Sequence, residues 1–162
     1  MFAVSKEQQT MSTLHFTTAI HAPAQTIFDR IADFAHYDQW LPPSGMYKSV
    51  MEISDNPVKF GSSYVDKGTN STMYGKVTDY QPPQKIAFHQ VTHLKLLGFI
   101  PAGLEVTIVY QLQTNGDNTN LTRDVTVQAS GLLTLMQSLL LPRIAVESQR
   151  ILAALKTGLE KG

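Results

Sequence analysis

Cysteine is absent from the chain, which removes disulfide scaffolds, thiol catalysis and cysteine-bound zinc from the functions open to it. Net charge is absent too, because thirteen basic residues balance thirteen acidic ones. No basic stripe or polybasic run stands out, so nucleic acid and anionic lipid are not expected partners. No apolar run approaches the ~20 residues of a membrane span, and no stable membrane insertion is expected. The opening residues, MFAVSKEQQTMSTLHF, lack the long apolar core and small-residue cleavage site of a secretion signal, which leaves a cytoplasmic protein as the expectation. Also missing are G-x-S-x-G, G-x-x-x-x-G-K-[ST] and any strand followed by G-x-G-x-x-G, the marks of serine-hydrolase, P-loop and dinucleotide chemistry. No metal or nucleotide cofactor is expected.

What remains is a 162-residue chain, long enough to bury one real core. A flexible, largely polar tail is expected over residues 1–12 and a single domain over 13–162. Leu14, Phe16, Thr18 and Ile20 alternate with His15, Thr17 and Ala19, the period of a half-buried strand. Ala22-Pro23 ends it, since proline cannot donate to a ladder. The period then becomes helical at Ile27, Phe28 and Ile31, followed by Phe34, Tyr37 and Trp40, which predicts two short helices before Leu41-Pro42-Pro43.

Strand patterns dominate from there, over 47–54, 61–68, 71–80 and 85–93. The clearest are Leu104, Val106, Ile108, Tyr110 and Leu112, then Leu121, Arg123, Val125 and Val127 beyond the turn Asn115-Gly116-Asp117-Asn118. Residues 131–161 return to helical period. Leu132, Met136, Leu139 and Leu140 share one face of the first part, and Ile144, Ile151 and Leu155 continue the stripe. Pro142 removes the bond to the Ser138 carbonyl and predicts a kink or restart. The order is one strand, two short helices, about six strands and one long helix, an α+β domain. A twisted antiparallel meander curls. The long helix, apolar on one side, belongs in its concave face, with enclosed space between them.

Ala19-Ile20-His21-Ala22-Pro23, Ile27-Phe28, Ile31-Ala32-Asp33-Phe34 and Tyr37-Asp38-Gln39-Trp40 together resemble the opening of the START-like, or SRPBCC, superfamily. Later segments agree with its polyketide cyclase/dehydrase-like branch: Gly75-Lys76-Val77, Tyr80-Gln81-Pro82-Pro83, Thr119-Asn120-Leu121-Thr122 and Leu152-Ala153-Ala154-Leu155-Lys156. The resemblance spans about residues 13–160. It implies the helix-grip fold, a curved seven-stranded antiparallel sheet wrapped around a long C-terminal helix with a hydrophobic cavity between them. Members of that superfamily include lipid and sterol carriers, hormone binders, aromatic cyclases and co-chaperones, and they share no catalytic motif.

Arg123 is the residue most in need of explanation, since its strand face is otherwise apolar. A charge there is costly unless a carboxylate, a ligand anion or solvent satisfies it. Either its stem runs over apolar neighbours to the rim, or its planar fork holds a ligand oxygen inside the cavity. Tyr64 shares a face with Asp66, and Ile108 with Tyr110. Facing inward, they give an apolar wall polar handles, and a buried Asp66 could act as an acid or base. Facing outward, Asp66 is an ordinary surface carboxylate. Arg123, Asp66 and Tyr110 are thus the catalytic candidates. Candidate wall residues are Trp40, Tyr64, Met73, Phe88, Gln90, Ile108, Tyr110, Arg123, Val125, Met136 and Leu140.

His89 and His93 fall on one strand face but ~13 Å apart, too far for one metal ion, and opposite the inward Ile86 and Phe88. The connection over residues 95–103, KLLGFIPAG, is unusually apolar. It folds over the cavity as a lid with Leu97, Phe99 and Ile100 facing the ligand, forms a contact surface for a homodimer or a membrane, or is buried as the strands continue into it. Three functions follow. The first is binding of a small hydrophobic molecule such as a lipid, polyketide or isoprenoid. The second is a cyclase or dehydratase activity, and the third is service as a co-chaperone or interaction module.

Overall fold

A computed structural model describes residues 10–161 of the chain. In order these form β1 (Thr10–Ile20), α1 (Ala24–Ala32), a 3-10 segment (Phe34–Gln39), β2 (Ser49–Met51), β3 (Ser63–Lys67), β4 (Thr72–Gln81), β5 (Lys85–Leu96), β6 (Ile100–Asn115), β7 (Asn118–Gly131) and α2 (Leu133–Glu160). The seven strands make one antiparallel sheet in the order β1-β7-β6-β5-β4-β3-β2. Strands β2 to β7 form a meander, and β1 closes on the far side of β7. This is the helix-grip arrangement that the family resemblance implies, and its element order is the one expected from the strand periods and the terminal helix.

Alternation decides which side chains enter the core. Along β7 the odd positions from Leu121 to Ala129 are all buried, and the even ones are half-buried on the outer face. The register carries that face across the sheet: Val125 pairs with Ile108, which pairs with Phe88, which pairs with Val77. Ile20, Ile27, Phe28, Ile31, Ile86, Leu121 and Leu155 are the largest fully buried side chains of the core, each at most 1% exposed. Phe28 from α1 meets Tyr80 edge-on at 5.3 Å between ring centres, a favoured aromatic geometry.

Several boundaries differ from the sequence reading. The strand expected over 47–54 is only Ser49–Met51, because Glu52 turns to a positive φ of 51° and leaves the ladder. β1 begins at Thr10, which pairs with Ala129, so the expected tail over residues 1–12 gives up its last three residues to the sheet. Residues 1–9 lie outside the described residues. α2 runs through Pro142 as one helix and does not restart.

The strands continue into the 95–103 connection, as the third alternative has it, but the burial expected with that alternative is absent at its turn. The ladder continues to the Leu96–Ile100 pair, and residues 97–99 form a tight turn with Gly98 at φ 82°, a conformation glycine adopts without strain. Leu97 and Phe99 stand out from that turn, 84% and 73% exposed. At the same end of β6, Ala102 pairs with Gly131. A Cβ on Gly131 would lie 2.6 Å from the Pro101 carbonyl oxygen, so only glycine lets β7 pass this strand and turn into α2.

Candidate functional site

Between the concave sheet face and α2 lies a cavity of about 410 Å³, within the range of small-molecule pockets. Its floor is the inward face of the central strands, with Phe88 on β5, Val106 and Ile108 on β6, and Val125 on β7. Leu140, Ile144 and Ile151 of α2 roof it. Exposed Gly45, Met46, Asn70 and Ser71 mark its opening. The wall is mainly apolar, and a few polar groups converge on it.

Arg123 faces inward and is only 7% exposed. Its place follows from β7 alternation, between Leu121 and Val125. Register sets it opposite Tyr110, whose hydroxyl accepts a hydrogen bond from Nη1. The guanidinium also lies 5.1 Å from the Tyr110 ring centre, a cation–π distance. Its Nε is buried without a partner. The rim alternative for Arg123 is therefore corrected: the strand does not bend outward there, and the side chain stays over the cavity floor.

A second polar group lies across the cavity. Gln90 Nε2 donates to the Tyr64 hydroxyl at 3.0 Å and to Asp66 Oδ2 at 3.3 Å. The Tyr64 ring fits because Gly75 sits opposite it in the register, and a Cβ there would come within 2.2 Å of the ring. Asp66 Oδ1 is buried without a partner. Burial pushes the Asp66 carboxyl up to about 6, against the lowering effects of Gln90 and Arg123, with Glu147 adding to the rise. The surface alternative for Asp66 is thereby corrected. Burial raises the Tyr64 and Tyr37 hydroxyls as well.

Of the expected wall residues, Tyr64, Met73, Phe88, Gln90, Ile108, Tyr110, Arg123, Val125 and Leu140 line the cavity, and the others do not. Trp40 packs edge-on against Tyr37 at 4.9 Å and beside Gly158 of α2, as a plug for the helical insert. Met136 is 42% exposed, away from the cavity that Leu133 and Leu140 line. Leu97 and Phe99 project from their turn into solvent, because strand pairing carries them past the cavity instead of over it. His89 bonds Thr107 on the outer face, and His93 is exposed. Among the described residues no cluster of three metal-ligating side chains forms, and no helix is long and apolar enough to cross a membrane.

A family model described as "Polyketide cyclase / dehydrase and lipid transport" matches residues 11–160. The chain belongs to that family. Comparison with curated proteins gives no match. Solved structures do match, and they share the fold of this polyketide cyclase / dehydrase and lipid transport domain. The di-domain ARO/CYC BexL from the BE-7585A biosynthetic pathway superposes with a TM-score of 0.67 at 16% identity. That match covers 93% of this chain and 50% of the di-domain protein, so the chain spans half its length. Ara h 8.0201 gives a TM-score of 0.67 at 12% identity, covering 94% of this chain and 100% of that one. The Aha1 dimer from Colwellia psychrerythraea gives 0.62 at 16%, covering 92% and 96%.

Sequence reading missed part of this family member's cavity. Leu41 and Tyr47 enter it from an irregular segment, and Arg143, Glu147 and Ser148 from α2. Glu147 is held by Arg150, at 2.6 and 3.0 Å, and by the Ser44 hydroxyl at 3.0 Å. Ser148 was detectable: it interrupts the apolar stripe between Ile144 and Ile151, and it is 1% exposed with an unpartnered hydroxyl.

Proposed function

We propose that the protein binds a small, mainly apolar molecule in the cavity between the sheet and α2, with Arg123 and the tyrosines orienting it. The observation that carries this reading is a cavity of about 410 Å³ with apolar walls and a buried arginine facing it. Affinity would come from apolar area removed from water, about 25 cal/mol per Å². Orientation would come from charge-assisted bonds to the guanidinium, which are stronger than neutral ones. Native mass spectrometry of the purified protein tests the reading, with a copurifying apolar compound expected at one per chain. Arg123→Ala should weaken binding of that compound about tenfold or more while leaving the fold intact. Equal binding by both forms would remove Arg123 from the site.

A second reading, a cyclase or dehydratase, draws support from Asp66, whose raised pKa of about 6 and unpartnered Oδ1 suit proton transfer near neutral pH. It requires Asp66→Asn to abolish turnover of a bound compound while sparing its affinity. An unchanged rate would exclude Asp66 as the acid or base.

A further inference from the structure

Three buried polar atoms of the cavity wall have no protein partner; the Ser148 hydroxyl can donate or accept, whereas the other two are of opposite, fixed kind. Arg123 Nε is a donor, and Asp66 Oδ1 is an acceptor in its ionised form. A buried polar group left unsatisfied is costly. The remaining carboxylate on the cavity wall, Glu147, is already held by Arg150 and Ser44. Asp66 is half engaged, with one oxygen on Gln90. Arg123 is likewise half engaged, with one amino group on Tyr110.

The two atoms project from different strands. Arg123 is on β7 and Asp66 on β3, four strands apart in the sheet order. At ~4.8 Å per strand that is about 19 Å along the sheet, and less across its concave face. The floor between them is Phe88, Val106 and Ile108, and the polar side chains on the same strands, Gln90 and Tyr110, are already engaged with Asp66 and Arg123. Resting on the ligand-binding reading above, we propose that the guest carries two polar ends on an apolar middle. An acceptor oxygen of a carbonyl seats at Arg123, and a hydroxyl seats at Asp66. The substrate class is a hydroxylated carbonyl compound, bound in one orientation only.

Four naphthalenes of one scaffold test this by direct fluorescence titration at pH 7.5: 6-hydroxy-2-acetonaphthone, 2-acetonaphthone, 2-naphthol and naphthalene. The expected order is the hydroxyketone first, the two singly substituted compounds next and naphthalene last, with about tenfold in affinity per polar group. Arg123→Met should erase the ketone's advantage and keep the hydroxyl's, and Asp66→Leu should do the reverse. The wild-type ranking stands as a test by itself should either variant fail to fold. Equal binding of all four compounds would overturn the two-ended guest while leaving an apolar-binding cavity in place. Saturable binding by none of them would overturn both.

Discussion

The concave side of the sheet is solid at one end and hollow in the middle, although one alternation rule builds both. Under α1 the space is filled. Ile27, Phe28 and Ile31 come down at helical spacing onto Ile20, Ile86 and Leu121, and none of the six is more than 1% exposed. Under the middle of α2 the roof is Ile144, Ser148 and Ile151, the floor is Val106, Ile108 and Val125, and a cavity remains. Side-chain volume makes the difference: α1 delivers a phenylalanine between two isoleucines, whereas α2 places a serine where a large residue would fill the gap. Polar groups gather in the hollow half because only there do long side chains such as Arg123 and Gln90 have room. Strand period sets which way a residue points, and the covering helix sets whether anything is left to point into.

Emptying the solid half should have the largest effect. Phe28→Ala should cost about 3–5 kcal/mol of stability, read by chemical denaturation, and should leave guest affinity in the folded protein nearly unchanged. A loss below 1 kcal/mol would mean that the solid half is looser than its burial implies.

Asp66 sharpens the comparison through pH. Its folded pKa of about 6 lies above the ordinary 3.8, so the native state keeps a proton that the unfolded chain releases. Stability from this group is full below 3.8 and falls as pH rises through 6. The groups around it are Gln90 on β5, Arg123 on β7, Glu147 on α2 and Tyr47. Asp66→Asn should therefore gain on the native protein between pH 4 and 7, by on the order of 2–3 kcal/mol. Parallel stability curves for the two proteins over that window would place the carboxylate in water.

Adding volume separates the two halves next. Val106→Phe should fill the hollow at less than the ~1–3 kcal/mol that overpacking a filled core costs. The same kind of insertion in α1 at Ala32, which is 1% exposed, should show the full penalty in Ala32→Phe, and equal costs would erase the distinction. The smallest effect belongs to the outer turn: Leu97→Ser with Phe99→Ser should change stability by no more than about 0.5 kcal/mol. Were a homodimer to form through this turn, sedimentation would show the double variant shifting toward monomer, and an unchanged profile would rule that contact out.

Much of this was readable in the sequence. Period-2 alternation in β6 and β7 puts Tyr110 and Arg123 on the apolar faces of their strands without any tertiary information, and the 131–161 stripe identifies the covering helix. The rest was not, for physical reasons. Whether Arg123 stays buried depends on Tyr110 lying opposite it, a register that neither strand states alone. The exposure of Asp66 depends on Gln90 two strands away and Glu147 on the helix. Residues 41–47 carry no period, so nothing local indicated that Leu41 and Tyr47 enter the cavity. The apolar turn at Leu97 and Phe99 misled because apolar composition predicts burial, whereas strand pairing takes these residues past the core and leaves them in solvent.

The claim on which the rest depends is that the middle of the grip is empty and open to an apolar guest. Titration of N-phenyl-1-naphthylamine, a neutral dye that brightens in apolar surroundings, tests it when run on the native protein beside Val106→Phe. The account predicts saturable one-to-one brightening of the native protein and its loss in the filled variant, with both folded. Equal brightening of the two, or none with either, would contradict it.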